Sequence, residues 1–208
     1  MTEDEAYSII VSRVSRETLD HLHTYHRLLL KWQQVINLVS PSTIDQAWTR
    51  HFLDSVQLLD AVERLPDRWI DLGSGGGFPA LVCAIASADL CASTHFELVE
   101  TDTRKCAFLR QVVQETDINV DLHNKRIEEM PPLEAPLITA RALAPLPQLL
   151  PLVYRHLAPG GVAFLQKGKR HAAELEQAGK DWHMSVETIP SVTATDSVIL
   201  RIRNLEHA

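Results

Sequence analysis

Between Trp69 and Ala80 the chain reads WIDLGSGGGFPA, a short apolar run ending in an acid and then four glycines in five positions. No other stretch restricts the fold as much. Because it opens into Ala80-Leu-Val-Cys-Ala-Ile-Ala86, it predicts a strand, a tight turn and a helix, where backbone approaches a ligand closely. Gly73, Gly75 and Gly77 lack a Cβ, so they accept positive φ and leave room for an adenosine-type group. The dinucleotide fingerprint is G-x-G-x-x-G, with pyrophosphate on the helix N-terminus. Here the spacing is G-x-G-x-G followed by Phe78-Pro79, which puts a bulky aromatic at the sixth position. That favours a ligand without phosphates and speaks against NAD. The next strand-like run, THFELVE, ends in Glu100, 27 residues past Gly73, where a carboxylate can accept from both ribose hydroxyls. A glycine turn followed by an acid-ended strand suits S-adenosylmethionine. A flexible loop for the glycines and a solvated strand end for Glu100 are the bland alternatives.

The first third shows no strand-like alternation. Leu22, Tyr25, Leu29, Trp32 and Ile36 recur at spacings of three and four, which predicts an amphipathic helix. After Pro41, Ser42 is read as the cap of a second helix with Asp45 at its third position and Ile44, Trp48, Phe52, Val56 and Leu59 as its apolar stripe. Residues 1–64 are thus expected to form a helical extension packed on a ligand-binding domain, 65–208. Strands are predicted at 68–72, 94–100, 119–123, 137–140 and 162–166, the last after the turn Pro159-Gly160-Gly161. Helices are predicted at 79–87, 103–116, 146–157 and 170–179. This alternation predicts an α/β fold, a mostly parallel, doubly wound, Rossmann-like sheet with helices on both faces. Two runs, 183–189 and 197–203, have no helix between them and are expected to form an antiparallel hairpin at one edge.

With 208 residues, 45% hydrophobic and 23% charged, the chain has the composition of a soluble globular protein. No apolar run approaches the ~20 residues that span a bilayer. The acidic start, MTEDEAYS, lacks the features of a secretory signal, so the expected compartment is the cytoplasm. Cys83, Cys91 and Cys106 have no paired spacing and are read as reduced packing residues, with no metal site expected. A net charge of −7 argues against coating nucleic acid through bulk electrostatics, while a local basic patch can still act. Ser-His-Asp order, H-E-x-x-H, P-loop and paired-cysteine patterns are missing, which removes the common hydrolase, kinase and zinc chemistries.

In doubly wound sheets ligands sit beyond the carboxyl ends of the strands. That directs attention to the 73–78 turn, Glu100, Arg126-Ile127-Glu128-Glu129, Arg141, and Gln166-Lys167-Gly168. Ile127 and Glu128 are placed to bracket an adenine, or else to form a plain turn. A guanidinium at Arg141 needs an acidic or phosphate partner; the choices are a site role or a structural ion pair with Glu100 or Asp71. Arg50 and Asp54 fall opposite the apolar stripe and are read as a solvated pair. His51, at the stripe's margin beside Trp48 and Phe52, reads as a packed, hydrogen-bonded histidine.

Several segments in order resemble the bacterial small-subunit ribosomal RNA guanine-N7 methyltransferase family, also called glucose-inhibited division protein B. They are Lys31-Trp32 with Asn37-Leu38, Arg50-His51-Phe-Leu-Asp54-Ser55, Asp71-Leu-Gly73-Ser-Gly75-Gly-Gly77-Phe-Pro79, Arg104-Lys105-Cys-Ala-Phe108-Leu109, Thr139-Ala-Arg141-Ala and Gln166-Lys167-Gly168. The glycine turn alone indicates only a class I methyltransferase. Gln33, where the family usually has Asn, and Ala80, where it usually has Gly, depart from the pattern. The resemblance implies methylation of N7 of one guanine in 16S rRNA, within the small ribosomal subunit or its precursor, by a monomer that turns S-adenosylmethionine into S-adenosylhomocysteine. It also implies cofactor contacts at Gly73, Phe78, Ile127, Glu128 and Arg141. Guanine N7 carries a lone pair and no proton, so no acid/base residue is named. Arg50, Arg141, Lys167 and Lys169 are expected to orient RNA phosphate or the guanine. Competing expectations are a class I methyltransferase acting on a small molecule or protein, and a non-catalytic nucleotide-sensing module or NAD-dependent reductase.

Overall fold

A computed structural model describes residues 1–88 and 93–208. Two helices open the chain, α1 (Glu3–Val11) and α2 (Arg16–Gln33). Thr2 caps α1 in a box with Glu5, and Ser15 caps α2 through the Thr18 N–H, each satisfying a backbone donor that the first turn leaves free. The apolar stripe of α2 buries Leu22, Tyr25, Leu28 and Leu29.

The second predicted helix is not continuous. The chain forms a 3₁₀ turn at Pro41–Gln46, a π-helical segment at Trp48–Leu53 and only then α3 (Asp54–Ala61). Pro41 occupies the first position of the 3₁₀ turn, where its fixed φ and missing N–H do no harm. Ser42 therefore caps nothing; its hydroxyl pairs with that of Ser40 at 2.9 Å.

Seven strands follow: β1 (Arg68–Leu72), β2 (His95–Val99), β3 (Val120–His123), β4 (Ala135–Arg141), β5 (Leu157–Lys167), β6 (Trp182–Pro190) and β7 (Val198–His207). The helices between them are α4 (Ala80–Ser87), α5 (Thr103–Thr116), α6 (Leu146–His156) and α7 (His171–Ala178). The sheet order is β3-β2-β1-β4-β5-β7-β6. It is parallel except that β7 runs antiparallel to both β5 and β6, so the expected hairpin closes one edge. β5 begins earlier than predicted. Leu157 already pairs with Ala135, the register then shifts, and Val162 pairs with Leu137, so the Pro159-Gly160-Gly161 turn is an excursion inside the strand.

Each face of the sheet carries its own core. On one, Trp69, Phe96, Leu98, Leu137 and Phe164 pack with α1 to α5. On the other, Ile70, Leu72, Val99, Ile138 and Leu165 pack with Leu146, Leu149, Leu150 and Val153 of α6. The helices of residues 1–64 thus share a core with β1, β2 and β4. Cys83 and Cys106 are buried free thiols; Cys91 lies outside the described residues. Among the described residues no helix is long and apolar enough to cross a membrane.

Candidate cofactor and substrate cleft

Strand order reverses between β1 and β4, and a cleft of about 1450 Å³ opens beyond the carboxyl ends of these strands, where such sheets bind ligands. Its lining includes Gly73, Gly75, Phe78, Glu100, Ile127, Glu128, Arg141, Arg50, Lys167 and Lys169. Of the residues singled out above, Gly77 lies deeper. Its φ is +90°, and an added Cβ would meet Leu109 Cδ2 at 3.0 Å, Leu81 Cδ2 at 3.1 Å and the Tyr25 hydroxyl. Gly77 packs closely against α2, α4 and α5 and is not among the residues lining the cleft.

The turn is locked from two sides. From β2, the Gly73 and Ser74 N–H groups donate to the Val99 carbonyl at 2.9 and 3.0 Å. The buried Glu100 carboxylate accepts from the Gly75 N–H at 2.8 Å through Oε2 and from the Asp102 N–H at 2.7 Å through Oε1. Glu100 therefore joins the glycine turn to the start of α5 as well as facing the cleft. From α2, the Tyr25 hydroxyl donates to the Gly76 carbonyl, and its ring stacks on Phe78 with centroids 5.3 Å apart. Burial raises the Tyr25 pKa, keeping the phenol a donor. Gln33 holds the neighbouring wall: its Oε1 accepts from the Leu38 and Val39 N–H groups, and its Nε2 donates to the Val39 carbonyl.

The residues present suit S-adenosylmethionine. At Gly75, φ +56°, a Cβ would find only the Gly73 carbonyl, 3.9 Å away, and would otherwise stand in the open cleft. That is space kept clear beside backbone. Ile127 is buried at the cleft wall, and Glu128 is exposed beside it. A free cradle, a pinned carboxylate at the end of β2 and an apolar wall with an acid beside it fit an adenosine bearing vicinal hydroxyls.

Across the cleft, Arg141 is partnered neither by Glu100 nor by Asp71. Its Nη1 donates to the Arg50 carbonyl at 3.0 Å and to Asp54 Oδ2 at 3.3 Å, and its Nη2 to His51 Nδ1 at 3.1 Å. The guanidinium carbon stands 4.9 Å from the Phe78 ring centroid, a cation–π contact. Asp54 is accordingly not one of a solvated pair with Arg50. Its side chain is 15% exposed and receives Gln57, Gln166 and Thr193 as well as Arg141. His51 is buried and hydrogen-bonded as expected. Burial first, then Arg141 and Arg50, pull its pKa down to about 3, so the ring is neutral. With Nδ1 accepting from Arg141, Nε2–H must donate to Thr43 Oγ1, 2.9 Å away.

Lys167 is not a free cation either. Its ammonium donates to the Ala144 carbonyl at 2.7 Å and pairs with Glu174 at 3.1 Å. Glu174 in turn accepts the Leu146 N–H at the start of α6, so Lys167 closes the end of β5. Among the described cleft residues, Arg50, Lys105, Lys125, Lys169 and Arg170 have side chains without a hydrogen-bonded or ionic partner. Beneath the turn, Asp71 accepts from Thr139 Oγ1 at 2.7 Å while its Oδ2 has no partner. Burial raises its pKa to about 7. The spacing of residues pointed to neither Tyr25 nor Asp54 as part of this site, because each is joined to it by contacts more than 50 residues away in the chain.

Comparison with known proteins follows the same lines. Solved structures show the fold at low identity. A SAM-dependent methyltransferase from Aquifex aeolicus aligns with TM-score 0.57 and 13% identity over 80% of this chain and 98% of its own. Aeropyrum pernix fibrillarin, in complex with natively bound S-adenosyl-L-methionine, aligns with TM-score 0.53 and 16% identity over 74% and 75%. Two curated relatives are each called ribosomal RNA small subunit methyltransferase G. That of Jannaschia sp. (strain CCS1) is 46% identical over 203 residues, 98% of this chain and 96% of the relative. That of Cereibacter sphaeroides (strain ATCC 17025) is 42% identical over 207 residues, 100% of both. The sequence profile described as rRNA small subunit methyltransferase G matches residues 18–201, and the chain belongs to that family of methyltransferases.

Proposed function

We propose that the protein transfers the methyl group of S-adenosylmethionine to N7 of a guanine in 16S rRNA, acting as a cytoplasmic monomer on the small ribosomal subunit or its precursor. The observation that carries this reading is one cleft with two unlike ends. The Gly75 and Glu100 end offers a bare turn and a ribose-accepting carboxylate, while unpartnered cations stand around the rest. Residues 65–208 supply the methyltransferase domain, and the helices of 1–64 complete its walls.

The cofactor, when bound, supplies an electrophilic methyl group. Glu100, Gly73, Phe78, Ile127, Glu128 and Arg141 hold it by the contacts their positions allow. N7 needs no deprotonation, and the buried groups agree with that. His51 has both ring nitrogens engaged and is neutral, and Asp71 sits beneath the turn with one oxygen on Thr139. The chain's work is to orient and exclude water. Holding two reactants in line is worth roughly 7–11 kcal/mol, enough to dispense with a proton-transferring side chain. Arg50 and Lys169, with Lys105 and Lys125, contact RNA phosphate; Lys167 and Arg141 act from fixed internal ion pairs.

The test is to incubate the protein and labelled cofactor with small subunits from cells lacking the activity and map 7-methylguanosine by chemical cleavage. A single labelled guanine in 16S rRNA is the expected result. Label confined to protein or metabolites would move the substrate to another class.

A further inference from the structure

The Asp54 carboxylate collects more donors than any other side chain described in the cleft. Oδ1 accepts from Gln57 Nε2 at 2.8 Å, Thr193 Oγ1 at 2.9 Å and Ser191 Oγ at 3.4 Å. Oδ2 accepts from Gln166 Nε2 at 2.7 Å and Arg141 Nη1 at 3.3 Å. These donors come from α3 itself, the ends of β4 and β5, and the segment joining β6 to β7. Gln57 and Gln166 present amide N–H₂ groups and Arg141 a guanidinium N–H, donors only, one or more on each oxygen, so both carboxylate oxygens are required. An amide of the same shape would turn an N–H₂ toward a donor whichever way it flipped.

Arg141 is the only charged member of the five. Its two Nη atoms are taken by Asp54, the Arg50 carbonyl and His51, and its plane is set over Phe78. Nε–H makes no hydrogen bond, on a residue that lines the cleft. The remaining partners cannot hold the guanidinium against other charges. His51 is neutral, the Arg50 carbonyl is a dipole, and neither Asp71 nor Glu100 is hydrogen-bonded or ion-paired to the guanidinium. Asp54 also sits at the junction of the π-helical segment and α3. That segment supplies the Arg50 carbonyl and His51 as well, so three of Arg141's acceptors come from five consecutive residues. Local π geometry is found often at functional sites.

We propose that Asp54 is the positioning residue for Arg141, holding its guanidinium so that the free Nε–H edge meets the cofactor, and that cofactor affinity depends on it. This rests on the cofactor contact assigned to Arg141 above. The experiment is calorimetric titration of the full chain with S-adenosylhomocysteine, comparing wild type with Asp54→Asn, Asp54→Glu, Arg141→Gln, the double variant Asp54→Asn/Arg141→Gln, and Thr193→Val. Thr193→Val removes one donor from the same carboxylate without touching Arg141. Asp54→Glu keeps the charge but displaces it, and gives a second reading if the amide variant is too unstable to titrate.

Asp54→Asn and Asp54→Glu are expected to raise Kd about 10- to 100-fold, the range for a lost hydrogen bond to a charged group. The double variant should bind no more weakly than Arg141→Gln alone, since both act through one guanidinium. Thr193→Val should lower the melting midpoint and leave Kd within about twofold. In turnover, the Asp54 variants should raise KM for the cofactor while KM for small subunits stays put, a split that general loosening of the cleft would not produce. Asp54 variants binding as wild type while Arg141→Gln binds weakly would overturn the inference alone. Losses that multiply in the double variant would do the same. An Arg141→Gln variant with unchanged Kd would remove the cofactor contact itself, and the inference with it.

Discussion

Gly75 and Gly77 are two residues apart with the same sign of φ, yet they do different work. At Gly77 a Cβ would strike Tyr25, Leu81 and Leu109 at φ +90°, so Gly77→Ala should cost about 2–4 kcal/mol from strain and overpacking together. At Gly75 the space is open, and Gly75→Ala should cost only about 1–2 kcal/mol for the left-handed conformation while weakening cofactor binding sharply. Urea denaturation beside calorimetric titration separates the two. The sequence could rank neither, since both stood in one glycine run. Asp71 and His51 make a second pair, opposed in sign. With a native pKa of about 7 against 3.8, folded Asp71 keeps a proton that the unfolded chain releases, so its contribution to stability falls as pH rises from about 4 to about 7. His51, about 3 against 6.5, refuses a proton that the unfolded chain takes up, so its contribution falls as pH drops from about 6.5 to about 3. Asp71→Asn removes the first and keeps an acceptor for Thr139. Its stability relative to wild type should therefore improve steadily from pH 4 to pH 7 in a series of urea titrations; a constant difference would refute the assignment.

At the level of helices and strands, α2 is as much a part of the site as β1. Tyr25 donates to the Gly76 carbonyl, and Gln33 at the other end of the same stretch pins Leu38 and Val39. Tyr25→Phe keeps the ring stack but orphans a buried carbonyl. It should cost about 1–3 kcal/mol and raise the Kd for S-adenosylhomocysteine, measurable by thermal melting and titration. Period-3.6 patterning revealed α2 because its stripe of Leu22, Tyr25 and Leu29 is regular, and period alternation with turn residues revealed the βα series for the same reason. Patterning failed between Pro41 and Ala61. A 3₁₀ turn, a π segment and an α-helix in succession carry an apolar stripe that an ideal helix also carries, and the change of winding depends on long-range hydrogen bonds. Glu3 contributes here, accepting the Trp48 and Thr49 N–H groups at 2.9 and 2.8 Å from α1.

Across the whole chain, a net charge of −7 means that a polyanion is bound through local cations, against the general field. Arg50→Gln and Lys169→Gln should each flatten the plot of log kcat/KM for small subunits against log salt by about one unit, the mark of one lost phosphate contact. Lys167→Gln should instead destabilise the fold, since its ammonium is already committed to Glu174 and Ala144. That contrast shows where local information stops. Hydrophobic period, glycine spacing and an acid at a strand end are properties of neighbouring residues, and they sufficed for the α/β class and the cofactor turn; the family came from the resemblance of several motifs in order. Whether a charged side chain is free for a ligand or spent inside the protein depends on partners that its immediate neighbours do not reveal, 7 and 23 residues away for Lys167 and 87 and 139 for Arg141 on Asp54 and Asp54 on Thr193. Folding alone brings such groups within bonding distance, because burial makes an unpaired charge too costly to leave.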